Sequence, residues 1–251
     1  YIAVPRNPNA NLYSKFKFAI QNPIRTGNRI KRFFRRNQAA NDFFCELPKL
    51  LSVPRKEICY KVINVEHHLC HIASAYYVSN FQDETAGLSY DASGDFVSMM
   101  TARCIGNRIE IMDRVTLPHS LGFFYTGICQ FIGFDHFGEE YKVMGLAPYG
   151  ENRYRDTMHD ILQEDDRKWF RLNTKFINVP RKGTVISLDD NYQINVPKLY
   201  TNRLCSLFGD PRDRNNEITQ REKDLAHSCQ VRFEEVAIHC INRLHRIIDT
   251  P

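Results

Sequence analysis

The amino-acid sequence predicts an α/β fold with a mixed sheet and flanking helices, and three observations support this class. Short strand-like segments alternate with helical patterns between residues 61 and 173. Hydrophobic residues make up 43% and charged residues 25% of the 251 residues, as in ordinary soluble globular proteins. The chain contains no internal repeat and no Gly/Ser-rich linker. We therefore expect a continuous α/β unit with a buried core.

Charge and cysteine content argue against several functional classes. The net charge of +5 suits an anionic ligand such as a nucleotide, but it is too small to indicate nucleic-acid binding by itself. The eight cysteines include no C-x-x-C pair, which argues against a thiolate zinc site and favours reduced thiols. No apolar run approaches the roughly 18 residues that a membrane span needs. We expect a cytoplasmic protein without a membrane or nucleic-acid partner.

Residues 1–60 predict a helical, basic lead-in. Arg25, Arg29, Arg32 and Arg36 recur at helical spacing and form a basic stripe on one face. An RNA-binding or membrane-surface helix is one interpretation. We favour a solvated face on a helix whose apolar side covers a core.

The pattern is clearer after Lys61. It predicts a strand at 61–65, a helix at 66–79 and a strand at 86–90 that ends in a turn at 91–95. A hairpin with strands at 97–104 and 108–115 follows. The dipeptide Gly106-Asn107 suits the hairpin turn. We assign residues 61–150 to a metal and nucleotide cleft.

Residues 151–251 predict a strand insertion and a long helix, after an apolar helix at 121–132. The predicted elements are a helix at 152–163, weaker strands at 168–173 and 184–196, and the final helix. Apolar residues recur every three or four positions from Leu225 to Ile247, and Thr219 with Glu222 forms a capping-box start. This stripe predicts packing against a core.

The first cluster with chemical potential runs from Glu66 to His71, with the sequence EHHLCH. On a helix, His67 and His71 lie one turn apart on the same face, so both imidazoles can reach one metal ion. His68 points off that face and is predicted to be a hydrogen-bonding neighbour or a surface residue. The cluster is not a zincin motif, because position 68 is His where the general-base Glu would stand.

Two further clusters suit a charged ligand. Residues 91–95, DASGD, place small residues and carboxylates at a strand end, although ordinary turns use the same residues. Residues 118–122 are followed by 138–150, in which two carboxylates and a lysine stand among glycines. These residues suit a loop that meets a charged ligand, although composition alone favours a solvated Gly/Pro-rich connection.

Together these clusters resemble the NodU/CmcH O-carbamoyltransferases. The resemblance rests on four segments in this order: VEHHLCHIASAYYVSNF (65–81), LSYDASGD (88–95), PHSLGFFYTGICQFIGF (118–134) and GEEYKVMGLAPYG (138–150). It implies an actin-like domain of the sugar-kinase type, built from two RNase H-like halves, of which this chain would be an incomplete part. The implied activity is carbamoyl transfer from carbamoyl adenylate, made from carbamoyl phosphate and ATP, to an acceptor hydroxyl on a sugar or secondary metabolite.

The resemblance also implies roles for individual residues. His67, His71 and Asp91 would hold a divalent metal, with iron favoured over zinc and manganese. Ala92 stands where the family usually has Gly, and an Ala there restricts the backbone next to Asp91. The residues that would contact the adenylate or its phosphate are Gly94, Asp95, His119, Lys142 and Gly145, the last two in a loop over 138–145. Asp95, Glu139 and Glu140 are candidates for the base that takes the hydroxyl proton, and the sequence does not choose among them.

The rest of the enzyme is expected outside this chain. It begins at Tyr1 and ends shortly after a helical pattern, so we expect an internal piece of a longer protein. The partner would be the adenylate-forming domain of the same polypeptide, and a homodimer is compatible with the sequence. The alternatives are an actin-like metalloprotein of the tRNA threonylcarbamoylation type, a non-catalytic binding module and a degenerate paralogue.

Overall fold

The computed structural model describes residues 1–21, 46, 49–54, 61–81, 83–179, 187–188 and 194–249. The predicted basic stripe, Arg25 to Arg36, lies outside these residues. The helices are α1 (Leu12–Gln21), α2 (His67–Tyr76), α3 (Leu121–Phe131), α4 (Glu140–Leu146), α5 (Arg155–Ile161), α6 (Asn202–Phe208) and α7 (Gln220–Ile248), with a 3-10 turn at Ala147–Tyr149. The strands are β1 (Ile2–Val4), β2 (Val62–Asn64), β3 (Thr85–Gly94), β4 (Val97–Ile105), β5 (Arg108–Thr116), β6 (Leu162–Asp165), β7 (Trp169–Leu172), β8 (Ser187–Leu188) and β9 (Ile194–Asn195). The α/β class is confirmed.

An antiparallel sheet in the order β3-β4-β5 organises the fold. The predicted hairpin at 97–104 and 108–115 is confirmed, and Gly106 has the positive φ of 54° that its tight turn requires. Elsewhere β1 and β2 form a parallel pair, whereas β6 with β7 and β8 with β9 form antiparallel pairs. The strand predicted at 61–65 is thereby confirmed as β2.

Strand β4 is buried on both faces, because helices cover the sheet from two sides. On one side, Ile72 and Tyr76 of α2 pack with Met100 and Ala102. On the other side, Met99 joins the larger core, which contains α3 and α7. Side chains of successive strand residues point to opposite faces, so an almost continuous apolar run is what a covered central strand needs.

The long helix predicted after Thr219 is confirmed as α7. The Glu222 carboxylate accepts hydrogen bonds from the backbone N–H and the hydroxyl of Thr219, at 2.9 and 2.6 Å. Leu225, Cys229 and Val236 are fully buried on the apolar stripe. This stripe packs against a core, as the sequence predicts.

Two predicted elements are wrong in part. The segment 138–145 is not a loop, because α4 begins at Glu140 and buries Val143 in the larger core. The turn predicted over 91–95 is shorter, because β3 continues to Gly94 with an irregular register and only Asp95 and Phe96 have the positive φ of the turn. The helix predicted at 152–163 is confirmed in its middle as α5, and parts of the weaker strands are present as β7, β8 and β9.

Candidate metal centre

The start of α2 is fixed by a carboxylate from the β3–β4 turn. Asp95 Oδ2 accepts hydrogen bonds from the backbone N–H of His67, at 3.0 Å, and of Asn7, at 2.7 Å. The first N–H groups of a helix have no partner within the helix, so this oxygen caps α2 from another part of the chain. The contact also sets the position of His67 relative to the β3–β4 turn.

Glu66, immediately before α2, is held in a buried polar network. Its carboxylate accepts two hydrogen bonds from Arg114, at 2.9 and 2.8 Å, and one from Asn11 Nδ2 at 2.8 Å. Burial alone would raise the pKa of Glu66, but the bonds from Arg114 and Asn11 outweigh it and hold the pKa below its ordinary value. Glu66 and Arg114 were not predicted as site residues, because a pairing across 48 positions leaves no local signal.

The structure brings His67, His71 and Asp91 together. Nε2 of His67 lies 3.0 Å from Nε2 of His71 and 3.2 Å from Oδ2 of Asp91, and Nε2 of His71 lies 3.8 Å from the same oxygen. The imidazoles stand one turn apart on α2, as the spacing predicts, and the carboxylate comes from β3. Among the described residues, these three are the group of His, Cys, Asp and Glu side chains close enough to share an ion.

The orientation of the His67 ring directs a lone pair toward this cluster. Its Nδ1 lies 3.3 Å from the carbonyl oxygen of Pro5. A carbonyl oxygen only accepts, so this contact places the ring proton on Nδ1 and leaves Nε2 as an acceptor. That acceptor faces the Asp91 carboxylate, and it needs either a proton from His71 or a cation. A carbonyl bonded to the far nitrogen is also the usual support of a metal-binding histidine.

The spacing of the three atoms fits a single metal ion. Two ligand atoms each about 2.1 Å from one ion lie roughly 3.0 Å apart at a right angle and roughly 3.4 Å apart at a tetrahedral angle. The observed separations of 3.0, 3.2 and 3.8 Å span these values. Two imidazoles and a carboxylate suit iron, zinc or manganese equally well on chemical grounds. The donor set therefore fits a divalent transition metal.

The environment of Asp91 favours its ionised form. Burial would raise its pKa, but the Ala92 N–H, which donates to Oδ1, outweighs this effect together with the His67 ring beside Oδ2, so the pKa is lowered overall. Ala92 is also fixed by Ser120, the N-cap of α3, whose hydroxyl donates to the Ala92 carbonyl at 2.7 Å. The predicted clusters at 91–95 and 118–122 thus meet in the structure.

Two glycines are required here by close approach. A Cβ on Gly94 would lie 2.0 to 2.5 Å from atoms of the His67 side chain, so only glycine leaves room for this ring. A Cβ on Gly122 would lie 2.5 Å from the backbone nitrogen of Ala92. Gly94 was predicted to contact the adenylate, and its observed contact is with a candidate metal ligand.

His68 is buried beside the cluster and does not join it. Its Nδ1 lies 2.9 Å from the Ser89 hydroxyl, and its Nε2 lies 3.0 Å from the Val97 carbonyl. Burial lowers its pKa, which favours the neutral ring. The prediction of a hydrogen-bonding neighbour is confirmed, and His68 connects α2 to the sheet.

Glu139 and Lys142 are engaged with each other and with Arg214. Arg214 donates to both oxygens of Glu139, at 2.7 and 2.6 Å, and Lys142 donates to the same carboxylate. These bonds hold the pKa of Glu139 far below its ordinary value, with Arg214 as the main cause. A carboxylate with so low a pKa is a weak base, which argues against Glu139 as the proton acceptor.

The other predicted residues have separate surroundings. Glu140 accepts a hydrogen bond from the Thr126 hydroxyl at 2.8 Å, and a Cβ added to Gly145 would meet no atom within 4 Å. Nδ1 of His119 accepts from the Leu172 N–H at 3.1 Å, and burial lowers the pKa of His119. His119 also lines a cavity of about 420 Å³. None of these three is in the cluster formed by His67, His71 and Asp91.

Comparison with known proteins identifies the family. A family model described as carbamoyltransferase N-terminus matches residues 38–249, which include the whole cluster. The chain belongs to the carbamoyltransferase N-terminal family. The four segments that carry the resemblance all lie within the matched range, and the resemblance is thereby confirmed.

Three relatives of this carbamoyltransferase N-terminal chain illustrate the range of the family. An uncharacterized protein of Synechocystis is 35% identical over 72% of the chain and 27% of its own length. The nodulation protein NolNO of Sinorhizobium fredii is 30% identical over 70% of the chain and 22% of its own length. The nodulation protein NolO of Bradyrhizobium diazoefficiens is 31% identical over 72% of the chain and 28% of its own length. The chain therefore spans about a quarter of the relatives that it matches.

Among the described residues, no helix combines the length and apolar character that crossing a membrane requires. The six cysteines described by the structure are free thiols, four of them buried.

Proposed function

We propose that the full-length protein transfers a carbamoyl group from carbamoyl adenylate, made from carbamoyl phosphate and ATP, to an acceptor hydroxyl on a sugar or secondary metabolite. This chain would be part of the acceptor-transfer domain, which we propose to be actin-like. The adenylate would come from a further domain of the same polypeptide. The observation that carries the proposal is the convergence of His67, His71 and Asp91 in a chain matched by the family model.

The cluster would hold a divalent metal, with iron favoured. Bound there, the metal would supply Lewis-acid stabilisation of negative charge on the adenylate. The contribution of the chain is to fix the ligands before binding. Pro5 sets the His67 ring, Asp95 fixes the helix start, and Ala92 orients Asp91. Fixed ligands reduce the cost of assembling the site and orient the reacting groups.

The transfer step requires proton removal from the acceptor. The acceptor oxygen forms a bond to the carbamoyl carbon, the bond from that carbon to the phosphate oxygen breaks, and AMP leaves. A carboxylate takes the hydroxyl proton. Of the three predicted candidates, Asp95 contacts the His67 backbone directly, and Oδ2 is the oxygen that makes both of its backbone contacts. We propose Asp95 for this role because it lies beside the cluster, whereas Glu139 has a low pKa that makes it a weak base and Glu140 is not in the cluster.

The test uses His67→Ala and His71→Ala in the full-length protein. We expect both variants to lose bound metal, measured by elemental analysis, and to lose carbamoyl transfer from carbamoyl adenylate to a hydroxylated acceptor. Formation of carbamoyl adenylate from carbamoyl phosphate and ATP should continue, because it belongs to the further domain. Wild-type metal content together with wild-type transfer in both variants would contradict the proposal. Modification of a tRNA adenosine, instead of transfer to the hydroxylated acceptor, would support the threonylcarbamoylation alternative.

A further inference from the structure

A cavity of about 420 Å³ is lined by residues of α1, of β5 and the segment that follows it, and of the β6–β7 turn. This volume is within the range of roughly 300–1,000 Å³ that small-molecule sites occupy. The charged residues of the lining are four cations and one carboxylate, namely Lys17, Arg114, Arg167, Lys168 and Asp113. The carboxylate is already engaged, because it accepts hydrogen bonds from the Trp169 indole N–H and from the Arg114 N–H, both at 2.7 Å. The lining therefore has an excess of positive charge.

Three of these cations lack a carboxylate partner. Across the ranges that the structure describes, the side chains of Lys17, Arg167 and Lys168 form no ion pair. The carboxylate of Asp165 fixes the turn instead, because its Oδ1 accepts the backbone N–H groups of Arg167 and Lys168, both at 2.8 Å. Asp166, the other carboxylate at this turn, is not in the lining. Unpaired cations around one cavity concentrate positive potential and attract an anion.

His119 adds a neutral hydrogen-bond donor to the lining. Its Nδ1 accepts the Leu172 N–H at 3.1 Å, so the proton of the neutral ring is on Nε2. Burial lowers the pKa of His119, and the neighbouring charge of Lys168 lowers it further. The ring is therefore neutral and stands in positive surroundings. An N–H donor beside several cations matches the oxygens of a phosphate or sulfate group, which accept hydrogen bonds.

The cavity adjoins the candidate metal centre but is separate from it. Arg114 is in the lining, and its guanidinium donates to Glu66, the residue before the candidate ligand His67. None of the cluster residues His67, His71 and Asp91 is in the lining. A metal at the cluster would stabilise the charge of the adenylate. A second anion site beside it is therefore available to the other reactant, the acceptor.

We infer that the cavity binds a phosphate or sulfate group carried by the acceptor, so that the acceptor is an anionic sugar or metabolite. The inference rests on the proposed function, which supplies the adenylate and the acceptor as the two reactants. His119 then contacts the acceptor rather than the adenylate. Tyr13, also in the lining and 78% exposed, supplies an aromatic ring for contact with the apolar face of a sugar. Binding in the cavity is non-covalent and fixes the orientation of the acceptor for the transfer step.

The experiment measures the acetylation rate of individual lysines in the full-length protein by mass spectrometry. At about ten times its half-saturating concentration, glucose 6-phosphate should slow the acetylation of Lys17 and Lys168 by at least about fivefold, because it fills most of the cavities. Glucose, which lacks the anion, should have no effect. Lys61, which is exposed and outside the cavity, is the internal reference.

Arg167→Gln removes one cation from an exposed position and should reduce the protection of Lys17 and Lys168 to less than about twofold. Arg108→Gln is the matched control, because Arg108 is an exposed arginine of β5 outside the cavity, and this variant should retain the protection. The wild-type comparison of glucose 6-phosphate with glucose tests the inference even if Arg167→Gln fails to fold.

Three results would overturn the inference. Unchanged acetylation of Lys17 and Lys168 with both glucose 6-phosphate and inorganic sulfate would show that the cavity binds no anion. Protection by sulfate but not by glucose 6-phosphate would restrict the cavity to a free anion, and stronger protection by AMP would assign it to the nucleotide. Failure of the proposed function is distinguishable, because wild-type metal content and transfer in His67→Ala would contradict the metal assignment, whereas the protection of the two lysines does not depend on His67.

Discussion

The cluster at His67, His71 and Asp91 and the cluster at Glu139, Lys142 and Arg214 contain similar numbers of charged or ionisable groups, yet they are built differently. In the second cluster, two cations neutralise one carboxylate, and every group has a partner of opposite charge. In the first, the His67 lone pair and the Asp91 carboxylate converge, and among the described residues no Lys or Arg side chain is paired with them. Charge that the protein neutralises itself stabilises the fold, and charge that it leaves open is available to a ligand.

The largest expected effect separates the two clusters by metal binding. Asp91→Asn removes the carboxylate charge and should lower metal affinity by more than about 100-fold. Glu139→Gln should leave the metal content unchanged, because Glu139 already has its cations. The measurement is metal stoichiometry after dialysis against a weak chelator. Equal metal loss in both variants would mean that the metal site depends on Glu139 as much as on Asp91, which would contradict the assignment of the metal to the first cluster.

The second effect concerns the glycine beneath the His67 ring. Gly94→Ala places a methyl group within 2.5 Å of that ring, so the ring must move and metal affinity should fall about 10- to 100-fold. Gly145→Ala is the matched control because no atom lies within 4 Å of its added Cβ. Since Gly145 lies within α4, its replacement should raise the free energy of unfolding by about 0.5–1 kcal/mol. Metal titrations of both variants test this, and unchanged affinity in Gly94→Ala would refute it.

The third effect is on stability and belongs to the second cluster. Glu139→Gln replaces a charged acceptor of three hydrogen-bonding side-chain or backbone groups and should lower the free energy of unfolding by about 1–3 kcal/mol. Urea unfolding monitored by circular dichroism measures the change. Asp135→Asn serves as a control, because Asp135 is exposed and pairs with Arg214 and, at 4.0 Å, with His136, so the loss of its charge should cost about 0–1 kcal/mol. Equal losses of unfolding free energy in the two variants would mean that the burial of Glu139 does not strengthen its hydrogen bonds.

The smallest effect is the pH dependence of the difference in unfolding free energy between the wild-type protein and Glu139→Gln. The pKa of Glu139 is lower in the folded protein than in the unfolded chain, so its contribution is complete above the unfolded value of about 4.3. The contribution decreases as the pH falls below that value toward the folded pKa. The stability gap between the wild-type protein and Glu139→Gln should therefore be constant from about pH 7 to 5 and narrower near pH 3. A stability difference that increases as the pH falls would contradict the lowered pKa of Glu139 in the folded protein.

Local sequence patterns were sufficient to predict much of the fold and the grouping of His67, His71 and Asp91. The spacing of His67 and His71 predicts a shared helix face, and the turn residues at Gly106 predict the hairpin. The helix α4 was missed because seven residues make only two turns, which is too short for periodicity to outweigh the surrounding Gly and Pro. Its formation depends on the burial of Val143 in the core, a tertiary contact.

The support of the site could not be predicted for a similar reason. Glu66 and Arg114 are far apart in sequence, and so are Asp95 and Asn7. Nothing in either local segment specifies the partner, because both pairings depend on how the segment before α1, the start of α2 and the sheet are arranged. The sequence therefore indicates which side chains have suitable chemistry, while the packing of distant elements determines how firmly each is held.

The carboxylate of Asp95 joins three separate parts of the chain through a single oxygen. It receives the N–H of Asn7 and the N–H of His67 while its own backbone forms the β3–β4 turn. Because α2 begins at the bonded N–H of His67, the position of the turn sets where the first turns of the helix and its two imidazoles stand. We therefore expect a change in the turn to alter the distances between the two imidazoles and Asp91 without any contact to those three side chains.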